Sequence, residues 1–248
     1  MNGLIKTFCA SLAVSAAMMA FAPAGFAADY IEPVPEVVVA PPAVGGWYLR
    51  GDVGYSAAKF RGADYSLGGS GCNPCGEGTG VYKKSIKDGD LKGSFLIGGG
   101  VGYQVTDYFR TDLTLDYMTR SKFTSARDES HMSALSLLAN AYVDLGNFGG
   151  VTPYLGAGIG GTQVKWADLV DTQNGGVLPG ESNWRLTYAL MAGASVDLTH
   201  NLKLDAGYRY RHINGGKMFG PNYGLGDGYD KGMNIHDVRV GLRYAFGG

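Results

Sequence analysis

From Trp47 onward, apolar and polar positions alternate with period two, and the alternation recurs in discrete runs. The first run sets Trp47, Leu49, Gly51, Val53 and Tyr55 on one face, against Tyr48, Arg50, Asp52, Gly54 and Ser56 on the other. The last sets Val238, Val240, Leu242, Tyr244 and Phe246 against Asp237, Arg239, Gly241, Arg243 and Ala245. Six more such runs fall near 93–104, 109–119, 132–145, 151–164, 184–198 and 202–213, so the pattern predicts eight strands. Lengths of about 11 to 15 residues exceed the ~5–6 of ordinary globular strands and suffice for a tilted membrane crossing of ~9–11.

The connections run about 35, 4, 12, 5, 19, 3 and 22 residues, long and short in strict alternation. Hairpins of an up-and-down barrel put alternate turns at opposite ends, so all long loops share one side and all short turns the other. Outer-membrane barrels have this form, with short periplasmic turns and long outer loops. The fold class expected is therefore all-β, an eight-stranded antiparallel transmembrane barrel with both termini periplasmic.

Alternation alone does not say which face points inward; a soluble barrel with an apolar interior has the same period. The kind of charge decides. The polar face carries Arg50, Arg110, Arg185, Lys203, Arg209, Arg211, Arg239 and Arg243 against Asp52, Asp112, Asp116, Asp144, Asp197, Asp205 and Asp237. It holds one Lys and no Glu, whereas planar Arg and short Asp suit hydrogen-bonded pairs in a narrow interior. We therefore place the charges inside. The opposite face, with Phe95, Ile97, Val101, Leu113, Leu115, Leu137, Leu155, Ile159, Leu186 and Leu190 among others, meets lipid. Tyr103, Phe109, Tyr244 and Phe246 near the short-turn ends, and Tyr55, Tyr117, Trp166 and Trp184 near the long-loop ends, are expected to form two interfacial girdles.

Composition agrees. Charged residues are 17% of the 248, against roughly 25% in a soluble domain, and Gly reaches 41 residues while Pro stays at 9. A formal net charge of −1 gives no basic footprint for nucleic acid. Residues 1–27, with Lys6, an apolar stretch from Leu12 to Phe21 and a small-x-Ala end at Gly25-Phe26-Ala27, read as a secretory signal too short to span a membrane. Residues 28–46, with Pro33, Pro35, Pro41 and Pro42, read as an extended periplasmic leader, leaving 47–246 for the barrel.

Three segments carry a resemblance to a known family: Gly46-Trp47-Tyr48-Leu49-Arg50-Gly51-Asp52-Val53-Gly54-Tyr55, the run from Pro153 to Gly160, and the closing Arg239-Val240-Gly241-Leu242-Arg243-Tyr244-Ala245-Phe246. Over essentially all of Trp47 to Phe246 the chain resembles the small eight-stranded outer-membrane β-barrels, the porin-like and opacity-protein-like surface proteins and the barrel of outer membrane protein A. The resemblance implies that Gly241, Tyr244 and Phe246 form the signal read by the barrel assembly machinery, although here Gly247 and Gly248 follow the final aromatic.

An eight-stranded barrel is only wide enough for side chains to fill. The expectation is a plugged interior, with Arg50, Asp52, Arg110, Asp112, Asp116, Arg185, Asp205, Arg209, Arg211, Asp237, Arg239 and Arg243 as its charge network, and a structural, envelope-supporting and surface-interacting role carried by the outer loops. Partners would be outer-membrane lipids and lipopolysaccharide, the assembly machinery, and a surface or host ligand; no nucleic acid, metal or cofactor is expected. Cys72 and Cys75 in the longest loop suit a small disulfide in an oxidising compartment, since zinc would need two further ligands. Lys83, Lys84, Lys87 and Lys92 of that loop either meet lipopolysaccharide phosphates or belong to a solvated mixed loop. Two alternatives stay open: a small diffusion porin, and a rim-acting hydrolase. The latter rests on His131-Met132-Ser133, which resembles the His-x-Ser element of lipid A deacylases but has no identifiable acidic orienter.

Overall fold

The computed structural model describes residues 45–69, 80–86, 90–125, 128–171, 177–221 and 225–246. Residues 1–44 fall outside this set, and with them the signal and nearly all of the leader, as do Cys72, Cys75 and Lys87. Among the described residues, eight long strands form the barrel: β1 (Gly46–Phe60), β2 (Ser94–Gln104), β3 (Phe109–Thr124), β4 (Asp128–Asp144), β5 (Val151–Trp166), β6 (Ser182–Asp197), β7 (Leu202–Ile213) and β8 (Met233–Ala245). Each pairs antiparallel with the next, and β8 pairs with β1 from Tyr48↔Ala245 to Phe60↔Met233, so the sheet closes without a free edge. Among the described residues no helix is long and apolar enough to cross a membrane.

The short turns are stapled by side chains that accept backbone hydrogen bonds from three residues on. Phe109 N donates to Thr106 Oγ1 at 3.0 Å, Gly150 N to Asn147 Oδ1 at 2.7 Å, and Leu202 N to Thr199 Oγ1 at 3.0 Å. At the other end the long connections contain more structure than the alternation predicts. Strands 63–69 and 80–86 from the first long loop join strands 216–219 and 225–230 from the last in a separate four-stranded sheet. A hairpin of 169–171 and 177–178 extends the β4 side of the barrel.

Several barrel strands also outrun the predicted segments. β3 continues to Thr124 through a bulge: Met118 pairs with Ala134 and Ser121 with Met132, so Thr119 and Arg120 together face the single residue Ser133. Past that level the inward side chains are mainly apolar. Phe60, Met118, Phe123, Met132, Trp166, Ile213, Phe219, Met233 and Ile235 form one buried cluster at the long-loop end. Trp166 is its centre, with ring centroids 5.6 Å from Phe123, 6.0 Å from Phe219 and 6.2 Å from Phe60. This corrects the girdle assignment of Trp166, which is 2% exposed, whereas Trp184 is 58% and Trp47 60% exposed. The cause is parity, since Trp166 shares its face with the inward Thr162 and Val164.

Candidate functional site in the barrel interior and at its outer end

Below the apolar cluster the interior is polar. Six arginines (50, 110, 209, 211, 239, 243) and six aspartates (52, 112, 116, 144, 205, 237) are buried there, equal in number and interleaved. Near the short-turn end Arg50 grips Asp52 through Nε (2.9 Å) and Nη2 (2.8 Å) and reaches Asp112 through Nη1 at 2.8 Å. Arg239 lies 2.8 Å from the same Asp52. Asn140 Nδ2 donates to the other oxygen of Asp112 at 2.7 Å. Arg110 pairs with Asp144 at 3.1 Å and lies over the rings of Tyr142 (4.1 Å) and Tyr154 (4.7 Å), which form a cation–π stack in a desolvated setting. Arg243 meets Asp205 at 3.2 Å, and Ser195 Oγ donates to Asp205 at 2.6 Å.

A second knot lies toward the middle of the barrel. Arg209 joins Asp116 (2.6 Å) to Asp237 (2.9 Å), Arg211 lies 2.7 Å from Asp237, and Ser56 Oγ donates to Asp237 at 2.6 Å. Charges taken out of water at this depth are tolerable only when paired. Every guanidinium here has a carboxylate within salt-bridge distance, while Arg110 Nη1 and Nη2, Arg209 Nη2 and Asp116 Oδ1 are buried without a hydrogen-bond partner among the described residues.

Arg185 departs from the expected membrane-level network. It stands at the outer end and pairs with Asp230 of the 225–230 strand at 2.5 Å, while its Nη2 donates to the Lys217 carbonyl at 2.7 Å. Asp230 also accepts from Gly232 N at 2.8 Å, so one buried ion pair ties the barrel wall to the outer sheet. On that sheet Lys217 lies 3.0 Å from Asp227, whose hydrogen bond holds the ammonium above the usual lysine range. Sequence reasoning missed Asp230, as well as Tyr142, Tyr154 and Asn140. The last three share the inward parity of Asp144, Thr162 and Ser136 and could have been found by it.

The remaining candidates divide between the inside and the outside of the wall. Gly241 faces inward: a Cβ there would lie 2.3 Å from Asp52 Oδ1, so this glycine makes room for the network. Tyr244 and Phe246 point outward in an edge-to-face pair 5.3 Å apart, and Phe246 N donates to the Trp47 carbonyl at 2.8 Å. His131 is exposed on β4 with Ser133 half-buried on the same outward face. Among the described residues neither hydrogen-bonds the other, and no carboxylate reaches the imidazole. His212 Nδ1 lies 2.7 Å from Asn234 Oδ1, and His236 Nδ1 lies 2.5 Å from Tyr208 Oη. Among the described residues no cluster of metal-ligating side chains occurs.

A closed eight-stranded barrel that turns Phe95, Ile97, Leu155, Ile159 and Leu190 outward and buries its guanidinium and carboxylate groups is a membrane-spanning β-barrel of the bacterial outer membrane. The chain belongs to the outer membrane protein beta-barrel domain family, whose model matches residues 8–246. It is 38% identical to an uncharacterized protein of Brucella abortus (strain 2308), covering 98% of this chain and 100% of that one. It is 31% identical to a putative adhesin of Rickettsia bellii (strain RML369-C), covering 80% of this chain and 87% of that protein. The crystal structure of Neisserial surface protein A shares the fold, with a TM-score of 0.50 at 21% identity over 81% of this chain and 97% of that one.

Proposed function

We propose that the protein is a closed barrel that supports the envelope and presents its outer sheet for surface contact, without conducting solutes. The observation behind this reading is the stacking of two fillings along one axis, the Arg/Asp lattice below and the apolar cluster around Trp166 above. In this reading residues 1–27 are removed on export, and 28–46 lie in the periplasm with both termini on the short-turn side. The sheet built from the first and last long loops then stands at the cell surface. The Rickettsia putative adhesin supports a surface-interaction role, with lipopolysaccharide around the barrel and a host or surface ligand on the outer sheet. Tyr244 and Phe246 serve the assembly machinery. The absence of a carboxylate beside His131, among the described residues, favours a non-enzymatic role. Ser133→Ala is accordingly expected to leave lipid A acylation unchanged.

Planar-bilayer recording of the purified barrel tests the central claim. The expected record is flat or shows rare, small events. Large, steady open steps would overturn the closed-barrel reading in favour of a diffusion porin.

A further inference from the structure

The bulge in β3 has a second effect. Because Thr119 and Arg120 both stand opposite Ser133, Arg120 is turned to the outside of the barrel, where a regular strand would have alternated it inward. On the other flank of Ser133, in register, lies Lys165 of β5, also exposed. Three neighbouring strands thus present cation, small hydroxyl, cation in one row, and the small middle residue leaves a cleft of about 430 Å³ between the two charges. His131 closes the cleft above, and Tyr117, Leu135 and Gln163 line it below. Among the described residues neither Arg120 nor Lys165 has an ion-pair partner. Two acids of the same end are engaged elsewhere, Glu129 with Lys122 at 2.9 Å and Asp168 with Gly180 N at 2.9 Å.

The height of the row identifies its environment. One residue pair nearer the mid-barrel lie Tyr117, Gln163 and Trp184, with the exposed rings of Tyr117 and Trp184 at the level of an interfacial girdle. Two strand residues span roughly 7 Å, so the cations stand just above the acyl region, where lipid phosphates lie. Unpaired cations held at that depth on a lipid-facing wall fit an anionic head group, with a guanidinium as a fork for phosphate oxygens and an ammonium as a point charge.

We infer that Arg120, Lys165 and His131 form a binding site on the barrel exterior for the phosphate of an outer-leaflet lipid head group, with the lipid chains running down over Leu135 and Tyr117. This rests on the reading above that the long loops face outward.

The test uses the full mature barrel in phosphatidylcholine nanodiscs doped with bisphosphorylated lipid A or with the same lipid enzymatically dephosphorylated, and measures lipid retention by native mass spectrometry. The wild type is expected to retain the phosphorylated form preferentially. Arg120→Gln or Lys165→Gln should weaken retention roughly fivefold each, and the double variant should abolish the preference. Lys203→Gln, at the opposite rim, should change nothing. Folding of every variant is checked by heat-dependent gel mobility, and a folded double variant that keeps the preference overturns the site. A wild type indifferent to the phosphate, or one whose lipid is displaced by millimolar inorganic phosphate, overturns a lipid head group as the ligand. The orientation is tested separately, by surface labelling of a tag inserted at 172–176 in intact cells; its failure would sink the outward-loop reading while leaving the nanodisc result intact.

Discussion

Arg50 and Asp112, 62 residues apart in the chain, meet inside the barrel at 2.8 Å although β2 lies between their strands. The contact is possible because β2 offers only glycine to the interior at 98, 100 and 102. A Cβ on Gly102 would lie 2.2 Å from the ring of Tyr48, and one on Gly98 would lie 2.0 Å from Asp116 Oδ1. The glycine run and the charge lattice are therefore two halves of one packing solution.

Removing one acid from the balanced lattice leaves a buried cation in excess, even though Arg50 keeps Asp52. Asp112→Ala takes the acceptor from both Arg50 Nη1 and Asn140 Nδ2, and is expected to destabilise the barrel by about 3–5 kcal/mol. Urea unfolding in detergent micelles, followed by gel mobility without heating, would read this as a lower midpoint. A midpoint within error of wild type would mean that the lattice does not hold the wall together.

Gly160 makes a stricter demand than Gly98 and Gly102, because its neighbours are backbone. A Cβ there would sit 2.0 Å from the Leu137 carbonyl oxygen and 2.9 Å from Leu138 Cα, so Gly160→Ala must push β4 and β5 apart. Overpacking of this kind costs about 1–3 kcal/mol. Gly51→Ala is the matched control, since its Cβ meets nothing within 4 Å. Unfolding midpoints should fall for the first and stay within about 0.5 kcal/mol of wild type for the second.

How far the sequence could be read depended on contrast between the two faces. Where Arg and Asp oppose Leu, Ala and Tyr, as in 202–213, the predicted and observed strands coincide. At the long-loop ends the inward face turns apolar at Met118, Phe123, Met132, Met233 and Ile235 while the outward face mixes polar and apolar residues, so the period-two signal fades. The bulge at 118–121 also shifts the phase, which hid both the length of β3 and the outward turn of Arg120. The Arg185–Asp230 pair was not legible at all, because its carboxylate comes from a loop hairpin 45 residues further along the chain. Trp166 was placed at the right height and on the wrong side; counting parity from Thr162 corrects it.

The three tryptophans allow the orientation of the faces to be measured directly. Trp47 and Trp184 project outward near opposite ends of the barrel, whereas Trp166 is enclosed by Phe60, Phe123 and Phe219. In single-tryptophan variants reconstituted with brominated lipids, Trp47 and Trp184 should be quenched and Trp166 should not. Trp166→Ala should in addition cost about 3–5 kcal/mol, because it empties the centre of the apolar cluster. Quenching of Trp166 by lipid would invert the assignment of its face.

If Tyr244 and Phe246 serve the assembly machinery as proposed, assembly and stability are separable within a few residues of the closing strand. Tyr244 and Phe246 lie on the outside, touching each other and the membrane, so truncating them removes little that holds the folded barrel closed. Gly241 lies on the inside against Asp52, where any side chain displaces the carboxylate that Arg50 and Arg239 share. Tyr244→Ala with Phe246→Ala should therefore lower the amount of barrel in the outer membrane while the purified protein refolds into detergent with a midpoint near wild type. Gly241→Ala should do the reverse in vitro, lowering the unfolding midpoint by about 1–3 kcal/mol. Membrane levels by fractionation and midpoints by urea titration give both readings on the same three proteins. If the aromatic pair variant instead unfolds early while Gly241→Ala does not, the outward aromatics hold the barrel shut and their role as an assembly signal fails.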